Sequence, residues 1–286
     1  MFSCTLELMP YQNRVTPFGT LVANAARGAL TGNRGILHDE HGNLGRARWR
    51  GRMWIACVLR FKDRKRPVMQ PGRYTHLFFL DEATALAAGH RPCFECRNRD
   101  AKAFMAAWMR ANRPGAAYPG VGEVDRQLHG ERVRRGCSKV TFESRLGLLP
   151  DGCFVAGADL SETAWLIWRG KLHRWSPTGY VAHEPIAADR RVNVLTPRSI
   201  VAALGAGYRP SVHGSADTDA AGARRIVGFR RDESGDWVAD LECGHTQHMR
   251  NNPPWSERPW VETAAGRREH FGMTVPCRKC ERGEAP

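Results

Sequence analysis

The chain has 286 residues, 42% hydrophobic and 25% charged, with 43 Lys and Arg against 29 Asp and Glu, a formal net charge of +14. The length predicts about two domains, and the mixture is that of a folded globular protein, which excludes a disordered or collagen-like chain. No apolar run approaches the roughly 20 residues needed to cross a bilayer. The N-terminal MFSCTLELMPYQNR has no basic start followed by a long apolar stretch, so the sequence predicts a cytoplasmic protein with no membrane partner.

In chain order, residues 54–61 (WIACVLRF) and 74–80 (YTHLFFL) read as strands, the second preceded by a Pro-Gly turn at 71–72. Residues 81–88 predict a short helix with Asp81 as N-cap and Gly89 as its stop. Residues 100–112 predict a longer one, with Phe104 and Trp108 on one face. A helix also fits EVDRQLHGERVRR, residues 123–135. Residues 165–168 and 172–175 read as a hairpin around Arg169-Gly170-Lys171, and 192–195 as a strand. Thr196-Pro197 opens a further helix that ends near Gly205. Strands and helices mix without a regular βαβ alternation, so the expected fold class is α+β. The small, polar stretch 210–223 (PSVHGSADTDAAGA) reads as a linker. The sequence therefore divides into a basic α+β domain at 1–210, a linker at 211–223 and a small domain at 224–286.

Charge is not spread evenly. Residues 224–286 are nearly neutral, with 11 basic and 10 acidic side chains, whereas residues 46–73 hold ten Arg or Lys and one acid, Asp63. Such a block implies a polyanionic partner, first of all nucleic acid. Arg46, Arg48, Arg50, Arg52, Arg60, Lys62, Arg64, Lys65, Arg66 and Arg73 are the phosphate-contacting candidates. Trp49 and Trp54, interleaved among them, are candidates for stacking on bases. An Arg-rich strand edge that only keeps the protein soluble would look the same.

Nine cysteines, an odd number, argue against a disulfide framework. The pairs Cys93-x-x-Cys96 and Cys277-x-x-Cys280 have the spacing with which two thiolates grip one tetrahedral Zn²⁺. Cys243, His245 and His248 lie about 30 residues upstream of the second pair, giving C-x-H-x-x-H…C-x-x-C. Cys243, Cys277 and Cys280 are expected ligands there, with His245 or His248 as the fourth. A domain of about 60 residues benefits from such a staple. Residues 226–280 resemble a small bacterial zinc-binding domain family of unknown function, a resemblance that implies zinc and no particular activity. Two Zn²⁺ sites are thus expected in the chain. For the first pair, the remaining ligands are open among Cys57, His38, His41, His76 and His90, and Cys57 reads first as a buried strand residue and second as a ligand.

The string FFLDEATALAAGHRPCFECR, residues 78–97, resembles the metal-binding domain of the Ada type, found in bacterial repair of alkylated DNA. Ala87, Ala88, Gly89, Arg91, Pro92, Cys93 and Cys96 match its AAG-x-RPC-x-x-C pattern one by one. The resemblance implies a zinc knuckle and a DNA-repair setting. It also implies two upstream cysteine ligands, one of them an alkyl acceptor. Where that pair belongs, this chain has RFKDRKRPVM, and Cys57 is the nearest cysteine.

The sequence thus reads as a zinc-containing nucleic-acid-binding protein, DNA more than RNA, in repair or processing. A zinc-dependent base deaminase is one alternative. His38, Cys93 and Cys96 would hold the metal, and Glu40 would shuttle protons, after the H-x-E and P-C-x-x-C signature. A metal-dependent nuclease is another, with His38, Asp39, His41, Asp125, His129 and Glu131 as ligands or bases. Glu40, Cys57 and His129 are therefore the candidate catalytic residues.

Overall fold

Short apolar stretches in the first ninety-two residues pair both with near neighbours and with strands distant in sequence, and the result is a six-stranded sheet. The structure, a computed structural model, describes residues 10–62, 67–134, 138–157, 163–217, 223–249, 251, 258–282, 284 and 286. The chain divides into two units, Met1–His213 and Gly214–Pro286. Both helices and sheets are present, and the fold is α+β.

In the first unit, β1 (Gln12–Val15), β2 (Leu21–Ala23), β3 (Leu30–Asn33), β4 (Ile55–Val58) and β5 (Leu77–Phe79) precede α1 (Glu82–Ala87) and β6 (Arg91–Pro92). These strands form one sheet in the order β2-β1-β5-β3-β4-β6. Three pairs are antiparallel, whereas β1 runs parallel to β5 and β4 parallel to β6, with Ala56 opposite Pro92. Val15, Leu30, Leu77, Phe79 and Ala85 form its core. Next come α2 (Asn98–Asn112) and α3 (Val121–Arg132). A second sheet holds β7 (Phe142–Arg145), β8 (Phe154–Ala156), β9 (Ala164–Trp168), β10 (Lys171–Ser176), β11 (Gly179–Pro185) and β12 (Arg191–Val194), in the order β11-β10-β9-β8-β12-β7. α4 (Arg198–Gly205) closes the unit. Phe104 and Trp108 of α2, Leu128 of α3, Ile167 and Val194 of the second sheet, and Leu204 of α4 share one buried core. Each large side chain buried there stabilises the unit by about 1.5–3 kcal/mol.

Local chemistry accounts for several boundaries. Asp81 caps α1 through Thr84 N (2.8 Å), as expected. Gly89 stops it at φ +85°, where an added Cβ would stand 2.5 Å from Arg132 Cδ. The β9–β10 turn has two residues, not three. Arg169 and Gly170 are both left-handed (φ 49° and 74°) and Lys171 already pairs with Trp168, as the twist of a tight hairpin demands. Thr196 does not cap α4, because its hydroxyl accepts from Phe154 N (2.9 Å) in the neighbouring strand. Residues 211–213, read as linker, are tied into the first unit. Ser211 N donates to Glu82 (3.0 Å) and His213 N to Asp81 (2.9 Å). The same two carboxylates accept from Tyr208 Oη (2.6 Å) and Tyr180 Oη (2.7 Å), so α1 anchors both the second sheet and the end of the unit.

The second unit contains β13 (Ala223–Arg231), β14 (Trp237–Leu241), β15 (Thr246–His248), α5 (Ala264–Glu269), β16 (Thr274–Pro276) and α6 (Arg278–Glu281). Its sheet order is β15-β14-β13-β16. The core is small: Ile226, Ala239, Leu241, Met249, Val261 and Val275, together with Cys277.

Candidate metal centres

In the second unit, one turn of each hairpin carries half of a ligand set. Cys243 and His245 sit in the β14–β15 turn, which Gly244 makes at φ +82°. Cys277 directly follows β16, and Cys280 lies on α6. Pairing of β13 with both β14 and β16 brings the two turns together. Cys243 Sγ and Cys277 Sγ are 3.9 Å apart. His245 Nδ1 lies 3.6, 3.5 and 3.4 Å from the sulfurs of Cys243, Cys277 and Cys280. A tetrahedral ion with ordinary Zn–S and Zn–N bonds has edges of about 3.8 Å between sulfurs and about 3.5 Å from sulfur to nitrogen. The four atoms therefore already stand at the corners of such a site, and this group can hold a metal ion. The structure decides the fourth position for His245. His248 points to the Asp232 carboxylate instead (3.3 Å) and is exposed. Asp232, Asp236 and His248 form a further acidic group, but Asp232 is occupied in capping its own turn through Ser234 N and Asp236 N.

In the first unit, Cys57 lies in β4 and Cys93 follows β6, and the parallel pairing of the two strands sets them side by side. Cys93 N donates to Ala56 O (3.0 Å). The chain then turns tightly through Cys96 into α2, with Glu95 N donating to Cys93 Sγ (3.4 Å). The three sulfurs lie within 4.8 Å of one another and can hold a metal ion. Cys93 is buried, and Cys57 and Cys96 are half-buried. A hydrogen bond from the Cys57 thiol, joined by the backbone N–H groups of Cys96 and Glu95, holds the Cys93 thiol down at about 5. Cys57, which donates that bond and is buried, is pushed far up.

None of the histidine candidates joins these sulfurs. His38 is buried with Nδ1 on the Thr75 hydroxyl (2.6 Å) and Nε2 on the Gln70 carbonyl (3.3 Å). Glu40 is 79% exposed and lies beside the exposed His41 (3.6 Å). The His38/Glu40/Cys93/Cys96 constellation of a deaminase is therefore not assembled. His76 is buried against Tyr74 (5.0 Å). His90 packs between Trp54 (5.1 Å) and Phe79 (4.6 Å) and accepts from Arg34 Nε (3.3 Å). The nuclease set on α3 is structural. Asp125 accepts two bonds from Arg91 (both 2.8 Å). Glu131 accepts from Ser199 N (2.8 Å) and Oγ (2.7 Å) at the start of α4. His129 packs edge-on to Trp49 (4.5 Å).

The basic block is partly as expected. Arg46, Arg50, Arg52, Arg60, Lys62 and Arg73 are exposed, and among the described residues none is paired with a carboxylate. Arg48 is half-buried and binds Gly45 O (2.7 Å). Trp49 is half-buried. Trp54, expected to stack on bases, is buried with its ring between Arg34 (4.0 Å) and Arg132 (3.9 Å). Both of its faces are taken. Arg64, Lys65 and Arg66 lie outside the described residues.

The cationic group behind Trp54 has no signature in the sequence. Arg132 donates to Gly89 O (2.7 Å) and Arg52 O (2.6 Å), and Lys139 Nζ to Ala87 O. Burial, with Arg34 and Arg132 close by, pushes the Lys139 ammonium down to about 7. Burial and the same neighbours hold His90 well below the usual imidazole range. These cations bind backbone carbonyls and so fasten the ends of α1 and α3 to the strands that carry the sulfurs.

A family described as "Protein of unknown function (DUF3565)" matches residues 227–284, a span that contains all four ligands of the second centre. The expected resemblance of this region to a family of unknown function is thereby found, while none to an Ada-type domain is. No curated protein and no solved structure matches the chain at a significant level.

Elemental analysis of the purified protein is expected to give two metal ions per chain. Cys93→Ser and Cys277→Ser should each remove one, and His38→Ala and His248→Ala none. Loss of an ion from either histidine variant contradicts the ligand sets above.

Proposed function

We propose that this chain is a zinc protein that binds nucleic acid, DNA in preference to RNA, in repair or processing. The carrying observation is the sulfur triad at the ends of β4 and β6, with β4 flanked in sequence by the exposed Arg50, Arg52, Arg60 and Lys62, none of them paired with a carboxylate among the described residues. Thiolate-rich tetrahedral ligand sets suit Zn²⁺. At the second centre, zinc acts as a staple. At the first, it holds β4 and the start of α2 in register, so that Arg50, Arg52, Arg60 and Lys62 present a fixed cationic face to phosphates. Met53 (58% exposed) and Leu59 (52%) on the same segment add apolar contact for sugars or bases. The likeness of residues 78–97 to the Ada-type pattern favours DNA and a repair setting.

The test is fluorescence anisotropy with a duplex, a single DNA strand and an RNA of equal length, titrated with KCl. Duplex affinity should fall with a log–log slope of about −4, near −0.9 for each of some four to five phosphates neutralised. Arg52→Ala and Arg60→Ala should each reduce that slope by about one. Absence of binding at low salt, or a slope near zero, overturns nucleic-acid binding. Equal affinity for RNA overturns the preference for DNA.

A further inference from the structure

A cavity of about 640 Å³ lies in the first unit between α2 and the segment 207–211, and its lining residue Arg97 directly follows Cys96 of the first sulfur group. That volume is in the range of small-molecule sites. Its floor is one stripe of α2, where Ala103, Ala106 and Ala107 leave room for a flat or apolar body. Its polar groups are predominantly cationic. Arg97 and Arg99 stand near one end of the helix stripe and Arg110 near the other, about 20 Å apart along the axis. Arg209 lines the cavity from the segment 207–211, its Nη1 donating to the Leu204 (3.2 Å) and Tyr208 (3.4 Å) carbonyls. Only Glu82 and Asp100 oppose these four guanidinium groups among the lining residues. Both are already engaged. Glu82 accepts from Tyr208, Ser211 and Arg97, and Asp100 from Arg97 (2.7 Å).

Arg97 is the telling residue. Its side chain is 6% exposed, and its Nε and Nη2 are spent on Asp100 and Glu82. Its Nη1 is buried and has no hydrogen-bond partner. A buried guanidinium nitrogen without an acceptor is costly, and a native fold ordinarily supplies one. Nor does Arg99 have a partner among the described residues; it stands exposed in the first turn of α2. The arrangement has an oxygen-seeking donor at the wall, an extra cation at the rim, a helix start beside both, and a floor of small apolar residues.

We propose that this cavity binds the phosphate group of a nucleotide-sized ligand. Arg97 is its buried contact, Arg99 and Arg209 neutralise the phosphate from the rim, and the alanine floor accepts the remainder of the molecule. The Glu82 carboxylate organises the site without touching the ligand. Through Tyr208 and Ser211 it fixes the wall that carries Arg209. The proposal does not depend on nucleic-acid binding by residues 46–62.

Calorimetric titration of the full chain with AMP, pyrophosphate and adenosine tests it, at constant ionic strength. AMP and pyrophosphate should bind and adenosine should not. Arg99→Ala/Arg209→Ala should weaken AMP about tenfold, the loss expected for two charge-assisted contacts at a partly exposed site. Metal content, thermal unfolding and duplex binding should stay as in the parent protein. Arg97 is left intact because it also holds Glu82 and Asp100. Absence of AMP binding at millimolar concentration overturns the proposal, and so does adenosine binding as well as AMP. Undiminished AMP binding by the double variant overturns it too. If that variant loses duplex binding instead, the cavity belongs to the nucleic-acid surface and a separate nucleotide site is refuted.

Discussion

Removing the metal from the second unit is expected to unfold residues 223–282 while leaving the first unit folded. The apolar core there is a handful of side chains, and one of them, Cys277, is itself a ligand. A core of that size supplies only a few kcal/mol. A closed tetrahedral site of this type contributes about 10–16 kcal/mol of apparent binding energy at neutral pH. The ligands come from two places joined through β13, which pairs with both β14 and β16, and the metal ties the β14–β15 turn directly to the start of α6. Limited proteolysis of the full chain after chelation, or of Cys277→Ser, should cut within 223–282 and spare the fragment that ends near His213. Equal protease resistance of the second unit with and without metal refutes the staple.

The second large effect is expected at Asp125, far from solvent. Asp125→Ala should cost about 3–5 kcal/mol, because it leaves the Arg91 guanidinium buried and without its carboxylate. The side chains are only 3% and 7% exposed, and the pair is bidentate. Arg91 opens β6, the strand that presents Cys93, so the loss should also loosen metal at the first centre. Denaturant unfolding measures the first effect and competition with a chromogenic chelator the second. A change below about 1 kcal/mol would mean that water replaces the carboxylate and that the pair is not structurally decisive. A hydrolytic role for Asp125 predicts the reverse pattern, with stability nearly unchanged.

The second centre was legible from the sequence almost to the last atom. Its ligands sit within two short motifs, and only the choice between His245 and His248 needed coordinates. The reason lies in the turn: Gly244 folds His245 back toward Cys243, whereas His248 is on β15 and leans to Asp232. The first centre was only half legible. Cys93 and Cys96 announce themselves by spacing, but Cys57 joins them through a parallel strand pairing that no local pattern encodes. His38 and Glu40 misled because H-x-E is too short to carry direction, and Thr75 and Gln70 claim the imidazole. The hairpin at 169–170 and the Asp81 cap were readable because each depends on residues close in sequence. The anchoring of α1 to Tyr180, Tyr208 and Ser211 was not, since those contacts span about a hundred residues or more.

The distance between Cys57 and its partners fixes an order of assembly. A Cys93–Cys96 pair can meet an ion as soon as its four-residue turn leaves the ribosome. Cys57 must wait, because enclosing the 35 residues between it and Cys93 costs about 3 kcal/mol of chain entropy before any contact is made. Registration of β4 on β6 lowers that cost, so the third sulfur joins the pair only once the sheet has formed. Metal supply would thus bear on how long a finished first unit lasts, while its formation begins with strand pairing.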